Sequence, residues 1–440
     1  MRDQDRTSDF AWVDSLLSRS VHLVLPRVEI VLPNSGRVSG RGRVRWSGGN
    51  FPVFSAITDK LPDSEQWSPG RKVLCVSDEG SSVEISTGEN GKLTSGNECT
   101  DWELPCERIT VRRELTELPP ELQPEDAQLT GVFDPWPLRV AGRASTTRDD
   151  NPAFGRTIET GDWGKITVDG TDFVFREIGG ACRFRLRATN PETTWKICAS
   201  IHVSLNFLFG CRARLRGWQQ MAGPSMENVL LGNRPKAMRR TYPPLDNFLW
   251  RLRWGPTGFE QPLALASSFF LSPTGMKVNP LLHLLWDTAD LEMESRLLTA
   301  ATVLEGLVRN VETCEETPMP LGDQVLRYVE DLMPNGSILA RWRGLLAGMG
   351  GMHVPTILRQ WVSDGRHQAS EEERQAFVNR RHPLAHGSML ADATDPAAGR
   401  DLALLMNLVN KVVLTQMGYR GPFADYSVDR DYSRACPIIV

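Results

Sequence analysis

The feature that most constrains this chain is a change in hydrophobic periodicity along its length. Up to about residue 200, apolar and polar residues alternate over short segments, which is the pattern of strands buried on one face. From about residue 281, apolar residues recur at spacings of three and four, as on one face of an α-helix. A chain of 440 residues is long enough to form more than one core. The sequence therefore predicts an α+β protein, with a sandwich or barrel-like β domain before an all-α helical bundle.

The region between the two halves has no regular period. Residues 201–216 predict one helix interrupted at Gly210, 220–245 is glycine- and proline-rich like a loop, and 246–275 is apolar without a clear repeat. We therefore divide the chain into a β-rich domain over 1–200, a mixed connector over 201–280, a helical domain over 281–420 and a tail over 421–440.

Turn residues locate individual strands in the N-terminal half. The pair Asp169-Gly170 separates two alternating runs, which is the strongest short-range sign of a two-residue hairpin. Two short strands are expected within 72–85, and the proline within 22–32 suits an edge strand. Proline- and charge-rich stretches over 115–128 and 145–153 indicate long loops.

Two helical stripes and several caps define the C-terminal half. The first stripe consists of Leu297, Ala301, Leu304, Val308 and Val311, and the second of Leu402, Leu405, Val409, Val412 and Val413. Ser370 and Glu373 form a predicted capping box, and Gly418 is expected to end the last helix. Shorter helices are predicted over 321–332, 337–347, 354–363 and 370–381.

Composition excludes some functional classes. The formal net charge is −4, so any contact with nucleic acid must depend on local clusters of arginine. The eight cysteines are scattered without zinc-finger spacing, which indicates reduced thiols. The polar first residues do not resemble a signal peptide, and the longest run of low charge is too short to span a bilayer. We expect a cytoplasmic protein with no membrane contact.

The segment 379–387 carries the chemistry. Arg381 and His386 are separated by four residues, with Pro383 between them. Because the residue before a proline is pushed out of the α region, the helix over 370–381 is expected to end or kink near His382. Pro383 would then begin the next helical turn, whose free N–H groups favour an anion such as phosphate.

These side chains suffice for metal-free RNA cleavage. Arginine stabilises charge on phosphate oxygens, and histidine transfers protons near neutral pH. His382 and His386 lack further ligands for zinc, so neither a metal nor a cofactor is expected. Spacing alone nevertheless favours a surface turn or a hydrogen-bonded core histidine, since such pairs arise by chance in an arginine-rich chain.

The residues in and around this segment resemble those of a known protein family. The segment RHPLAHG resembles the R-x(4–6)-H signature of HEPN ribonucleases, and ESRLLTAATVLEGLVRN over 294–310 is similar to the first helix of that domain. The resemblance to the family is good over 281–420 and weak over 200–280. Before residue 200 it concerns only the overall architecture. The plan of a β-rich half before such a bundle resembles ApeA-type anti-phage effectors.

The resemblance implies roles for particular residues. Arg381 and His386 would be catalytic, and Arg380 would share the phosphate. His382 occupies a polar position that is often asparagine in the family, so its role stays open. Glu305 would support the site from the first helix, although an ordinary i,i+4 pair with Arg309 explains it equally well.

The resemblance also implies a function. We expect a metal-independent endoribonuclease that leaves a 2′,3′-cyclic phosphate, acts in antiviral defence by abortive infection, and forms a homodimer through its helical domain. Its N-terminal domain would sense a phage-derived or other activating ligand. The alternatives are a catalytically silent HEPN-type binding or dimerisation module, and a protein whose β domain binds a ligand while the bundle is only structural.

Arginine clusters are a separate feature of the N-terminal half. Arg37, Arg41, Arg43 and Arg45 fall at odd-numbered positions near Trp46, which places them on one face of a strand. Such a cluster either binds single-stranded nucleic acid or forms a solvated face.

Overall fold

The chain forms two compact units. A computed structural model describes residues 20–31, 37–47, 52–59, 72–76, 81–87, 92–95, 99–115, 126–134, 144–146, 159–161, 164–178, 181–210, 213–232, 242–245, 260–311, 354–385 and 396–426. The first compact unit, called the β unit here, comprises Met1–Asn206, Cys211–Met238 and Arg251–Ser268. The second, called the helical unit, comprises Phe207–Gly210, Arg239–Trp250 and Phe269–Val440.

The strands that the structure describes all belong to the β unit. In chain order they are β1 (Ser20–Val31), β2 (Arg37–Ser47), β3 (Val53–Asp59), β4 (Lys72–Val76), β5 (Ser82–Thr87), β6 (Lys92–Ser95), β7 (Cys99–Glu114), β8 (Ala127–Asp134), β9 (Ala144–Thr146), β10 (Glu159–Gly161), β11 (Gly164–Val168), β12 (Thr171–Ile178), β13 (Ala181–Ala188), β14 (Arg214–Ala222) and β15 (Ser225–Leu231).

Six of these strands close a barrel. The ring runs β1-β2-β3-β7-β5-β4 and returns to β1, with every pairing antiparallel. Its interior is a single apolar cluster that includes Phe54, Trp102 and Ile109. The long strand β7 also pairs with β15, which leads into the sheet β15-β14-β8-β13-β12-β11. The α+β prediction with an N-terminal barrel is therefore confirmed.

The predicted hairpin at Asp169-Gly170 is confirmed. Strands β11 and β12 pair directly across it, with Val168 opposite Thr171. Both turn residues have positive φ, 49° for Asp169 and 71° for Gly170, as a type I′ turn requires. The two short strands expected within 72–85 are likewise present as the antiparallel pair β4 and β5.

The prediction that 22–32 forms an edge strand is wrong for its second half. Strand β1 pairs with β2 along most of its length, and β4 pairs with its other side at residues 27–30, so the closed barrel includes β1 as a doubly paired strand from Arg27 onwards. Pro26 falls within a bulge between Leu25 and Val28, where β1 has one more residue than β2. A bulge tolerates a residue that cannot donate a ladder hydrogen bond, and Pro26 precedes the first residue that pairs with β4.

Strands also continue beyond residue 200. The predicted helix over 201–216 is confirmed up to Phe209, with its interruption at Gly210, but Arg214 begins a strand and the predicted loop over 220–245 contains another. Helix α1 (Pro191–Phe209) ends before Gly210, whose φ is 57°, and β14 and β15 follow it. Helix α1 lies on the sheet, where Trp195 Nε1 donates to Gln220 and His202 stacks on Phe133. Runs of consecutive buried residues in β14 and β15 removed the alternation that would have revealed these strands.

The remaining helices among the described residues are α2 (Glu260–Leu271), α3 (Pro273–Asp287), α4 (Met293–Val311), α5 (Val354–Asp364), α6 (Glu371–Ala385) and α7 (Pro396–Gln416), with a 3₁₀ turn at Arg366–Gln368. Helix α2 begins in the β unit and ends in the helical unit, to which the later helices belong. Helices α4 and α7 bury the two predicted stripes, except that Val311 is only half-buried. The helices predicted over 321–332 and 337–347 and most of the predicted tail over 421–440 lie outside the described residues.

Both predicted helix caps form. Ser370 Oγ accepts from the backbone N–H of Glu373, and Glu373 Oε2 accepts from the N–H of Ser370, at 3.2 and 2.9 Å. Gly418, with φ 69°, ends α7, and the N–H groups of Gly418 and Tyr419 donate to Thr415 and Leu414 in a Schellman motif. Among the described helices, none is both long enough and apolar enough to cross a membrane.

Candidate active site

The candidate site lies where three helices of the helical unit meet. Helix α4 packs against α6 and α7, and α6 packs against α7. Helix α7 is buried along most of its length, whereas α6 buries Ala376, Phe377 and Glu373 and exposes Glu371 and Glu372 in its first turn. The last turns of α6 carry Arg380 and Arg381, near the free carbonyls of the helix end, where positive charge is stabilised.

Arg381 contacts Glu305, its predicted partner on the first helix. Arg381 Nε donates to Glu305 Oε2 at 2.9 Å, across 76 residues of sequence. The other carboxylate oxygen, Oε1, accepts from an Nη group of Arg309 at 2.9 Å. Glu305 therefore makes both contacts that the sequence offers as alternatives.

The charges of this cluster do not cancel. Two guanidinium groups share one carboxylate, so the cluster of Glu305, Arg309 and Arg381 has a formal charge of +1. The side chain of Arg381 is 31% exposed, and its two Nη groups make no hydrogen bond to any residue in the described part of the chain. The contact through Nε thus orients a guanidinium whose remaining donors are available to an anion.

The side chain of Arg380 contacts a different helix from that of Arg381. Its Nε donates to Asp401 of α7 at 2.5 Å, and both side chains are less than one-fifth exposed. Neighbouring residues on a helix point about 100° apart, so Arg380 and Arg381 contact different helices. The structure brings Glu305 and Arg381 together and places Arg380 in a separate ion pair.

The expected helix junction at His382 is wrong. Helix α6 continues through His382 and Pro383 to Ala385. A proline in a helix removes one hydrogen bond to the carbonyl four residues earlier, but here α6 ends two residues later, so only its last turn is affected. Pro383 consequently does not begin a helix, and the expected cluster of free N–H groups is absent from the described residues. The side chain of His382 and the whole of His386 lie outside the described residues.

Sequence reasoning missed a buried ion pair beside the site. Lys411 Nζ on α7 donates to Glu373 Oε1 at 2.7 Å and to the backbone carbonyl of Gln368 at 3.1 Å. Burial raises the pKa of Glu373, an effect that Lys411 and the N–H of Ser370 oppose. A lysine inside the apolar stripe of α7 is the signal that could have revealed this pair, since a buried lysine needs a partner.

Cysteine and metal chemistry receive no support from the described residues. Cys75, Cys106, Cys182 and Cys198 are buried and form no disulfide, and burial raises the pKa of Cys75 and Cys198 to about 12. In the described part of the chain, no three His, Cys, Asp or Glu side chains are grouped to hold a metal ion.

The chain matches no protein-family model, no curated protein and no solved structure.

Proposed function

We propose that this protein is a metal-independent endoribonuclease whose active site is centred on Arg381 and His386. The observation that best supports the proposal is the 2.9 Å contact between Arg381 and Glu305. It pairs the arginine of the R-x(4–6)-H segment with the acidic residue that the family resemblance implies for the first helix. The function is therefore inferred from this geometry together with the motif.

Arg381 would bind the scissile phosphate. Glu305 accepts a hydrogen bond from its Nε, and the Nη groups, on a side chain that is 31% exposed, have no partner among the described residues. Guanidinium donors of this kind stabilise the charge that develops on phosphate oxygens during attack. Arg309 adds positive charge from the neighbouring turn of α4.

His386 would transfer the protons. The ribose 2′-oxygen loses its proton to an imidazole and bonds to phosphorus, while the bond between phosphorus and the 5′-oxygen breaks. The departing 5′-oxygen receives a proton, so this step consumes no water and leaves a 2′,3′-cyclic phosphate and a 5′-hydroxyl. Two proton transfers are easiest with two imidazoles, which a homodimer would supply through two copies of His386.

The β unit would act as the sensor of the activating ligand. In this proposal the protein is a defence effector whose ribonuclease is released when a phage-derived or other ligand binds that unit. The protein would then act in the cytoplasm, where its RNA substrate is found.

One observation favours a second function. The contact between Glu305 and Arg381 also serves simply to hold α6 against α4, as an ion pair between helices. On this alternative the bundle is a catalytically silent HEPN-type module for binding or dimerisation, and Arg381 is structural.

An RNA cleavage assay in EDTA separates these functions. Purified wild-type protein is incubated with total RNA, beside His386→Ala and, as a matched control, His202→Ala, which changes a half-buried histidine of α1 in the β unit. We expect cleavage by the wild type and the control, with 2′,3′-cyclic phosphate ends, and a loss of about 10²–10⁴-fold for His386→Ala. Activity that EDTA abolishes and a divalent metal restores would contradict the mechanism, and equal cleavage by His386→Ala would contradict the site.

A further inference from the structure

The outer face of β2 carries a row of three arginines. Arg41, Arg43 and Arg45, called the arginine stripe here, are exposed, as the odd-numbered spacing predicts. The alternate residues Val44 and Trp46 are buried in the barrel core. Gly40 and Gly42 share this inward face, where a Cβ at Gly40 would lie 2.1 Å from the Ile57 carbonyl oxygen of β3. Because the inward positions 40 and 42 hold glycine, β2 lies close to β3. The arginines at the outward positions project their charges away from the barrel.

The stripe has no acid partner within the described residues. Arg27 and Arg37 nearby both contact Glu29, at 2.5 and 3.4 Å. The three arginines of the stripe, by contrast, make no hydrogen bond or ion pair to any residue that the structure describes. Successive arginines on one strand face are about 7 Å apart, so their charges repel one another. An anionic ligand with a repeating charge would remove this repulsion.

Apolar side chains border the stripe on both sides. On β1, Val24 lies opposite Arg43 and is 45% exposed. On β3, Ile57 lies opposite Arg41 and is 51% exposed. The exposed imidazole of His22 lies opposite Arg45. The surface thus combines a linear row of guanidinium groups with the apolar side chains of Val24 and Ile57 and the imidazole ring of His22.

We infer that the arginine stripe binds the phosphodiester backbone of a single-stranded nucleic acid. A stacked strand carries one charge about every 3.4 Å along its axis, and an extended strand spaces its charges further apart, towards the spacing of the stripe. Guanidinium groups bind phosphate with two parallel hydrogen bonds and also stack on bases. Bases beside the backbone would contact Val24, Ile57 and His22, contacts that an acidic polypeptide or a base-paired duplex does not offer.

The inference concerns binding in the β unit and does not depend on the proposed cleavage. The test therefore uses a fluorescent 2′-O-methyl oligonucleotide, which lacks the 2′-hydroxyl needed for cleavage. Binding is measured by anisotropy over a range of salt concentrations, for the full-length wild type and a variant with Arg41, Arg43 and Arg45 all replaced by glutamine. The matched control replaces Arg27, Arg112 and Arg187, which are exposed but already contact carboxylates.

We expect the stripe variant to bind on the order of 10- to 100-fold more weakly at low salt. Loss of three phosphate contacts should also make the slope of log K against log salt shallower by about 2. The control should keep most of the affinity and the wild-type slope. Because the stripe arginines are exposed, the variant should melt at the wild-type temperature, and the single change Arg43→Glu provides a second test if it does not.

Three results would overturn the inference. The first is equal binding by the wild type and the stripe variant, and the second is equal loss in the control variant. The third is competition by polyglutamate, by a duplex or by anionic vesicles that is as strong as competition by the unlabelled single strand, since the stripe would then recognise charge alone.

Discussion

At the scale of single residues, Glu305 determines how Arg381 is presented. Its two oxygens hold Arg309 from the same helix and Arg381 from α6, each at 2.9 Å. The two arginines differ in position, since the side chain of Arg309 is 65% exposed and that of Arg381 is 31% exposed. This pair of arginines on one carboxylate provides an internal comparison for the proposed active site.

We predict that Arg381→Ala lowers RNA cleavage by about 10²–10³-fold, because it removes the group that stabilises charge on the phosphate. Arg309→Ala removes the same charge from the same carboxylate and should lower cleavage less than tenfold. Both variants should keep their free energy of unfolding within about 1 kcal/mol, since partly exposed ion pairs contribute little. Single-turnover rates and urea denaturation measure the two quantities.

Glu305→Gln refines this comparison, since the amide keeps one acceptor for Arg381 but removes the charge. Its effect on cleavage should be smaller than that of Arg381→Ala. If Arg381→Ala and Arg309→Ala reduce cleavage equally, or if Arg381→Ala unfolds the protein, the catalytic assignment of Arg381 fails and the structural alternative is favoured.

At the scale of elements, the N-terminal turn of α6 is held by a helix cap and by a buried ion pair. Its N-terminus has the capping box of Ser370 and Glu373, and Glu373 also binds Lys411 of α7. The side chains of Glu373 and Lys411 are only 2% and 10% exposed. Removing one partner of such a pair leaves a buried charge, which is costly.

We predict that Lys411→Ala lowers the free energy of unfolding by about 3–5 kcal/mol at neutral pH. Burial already raises the pKa of Glu373, and loss of Lys411 would raise it further. The pKa of Glu373 is thus higher in the folded variant than in the folded wild type. At a pH between these two values, Glu373 is protonated in the folded variant and ionised in the folded wild type. The variant therefore recovers stability relative to the wild type as the pH falls through this window.

Urea denaturation at pH 7.5 and pH 5 measures this difference. The matched control is Lys196→Ala, since Lys196 also lies 2.7 Å from a glutamate, Glu192, but in an exposed pair. The control should change stability by less than about 1 kcal/mol at either pH. A Lys411→Ala penalty that is small, or that grows on acidification, would show that Glu373 is not held as a buried charge.

At the scale of the whole molecule, the described part of the helical unit exposes three large apolar side chains on or next to α3. Met276 and Leu284 of α3 are 58% and 46% exposed, and Leu291 just beyond that helix is 49% exposed. Apolar groups clustered on a surface commonly mark an interface, and a twofold interface uses the same patch on both copies. We propose that the homodimer forms here.

We predict that Leu284→Glu shifts the protein from dimer to monomer and lowers cleavage per chain, because each monomer would hold one His386 only. Light scattering over a dilution series measures the oligomeric state. Leu74→Glu is the matched control, since Leu74 is equally exposed, at 46%, but lies in the β unit. A wild-type monomer that cleaves at full rate would refute the dimeric mechanism, as would a Leu284→Glu protein that stays dimeric.

The sequence by itself determined the features that depend on neighbours along the chain. Asp169-Gly170 encodes the hairpin because a type I′ turn needs positive φ at both positions. Ser370 with Glu373, and Gly418, encode the ends of α6 and α7 for the same kind of local reason. Period-2 and period-3.6 patterns sufficed for strands and helices that are buried on one face.

Only the tertiary structure decided the features that depend on distant residues. Strand β1 is not a simple edge strand, because β4 pairs with its other side at residues 27–30, just after Pro26. Helix α6 continues through Pro383 because a proline near a helix end removes only one hydrogen bond from a helix that packs against three others. The contacts of Arg381 with Glu305 and of Arg380 with Asp401 join residues 76 and 21 positions apart, and their choice follows from helix packing. Spacing along the chain cannot specify such pairs. A helix position fixes the direction of a side chain, but the residue that this side chain contacts is fixed only when the helices pack together.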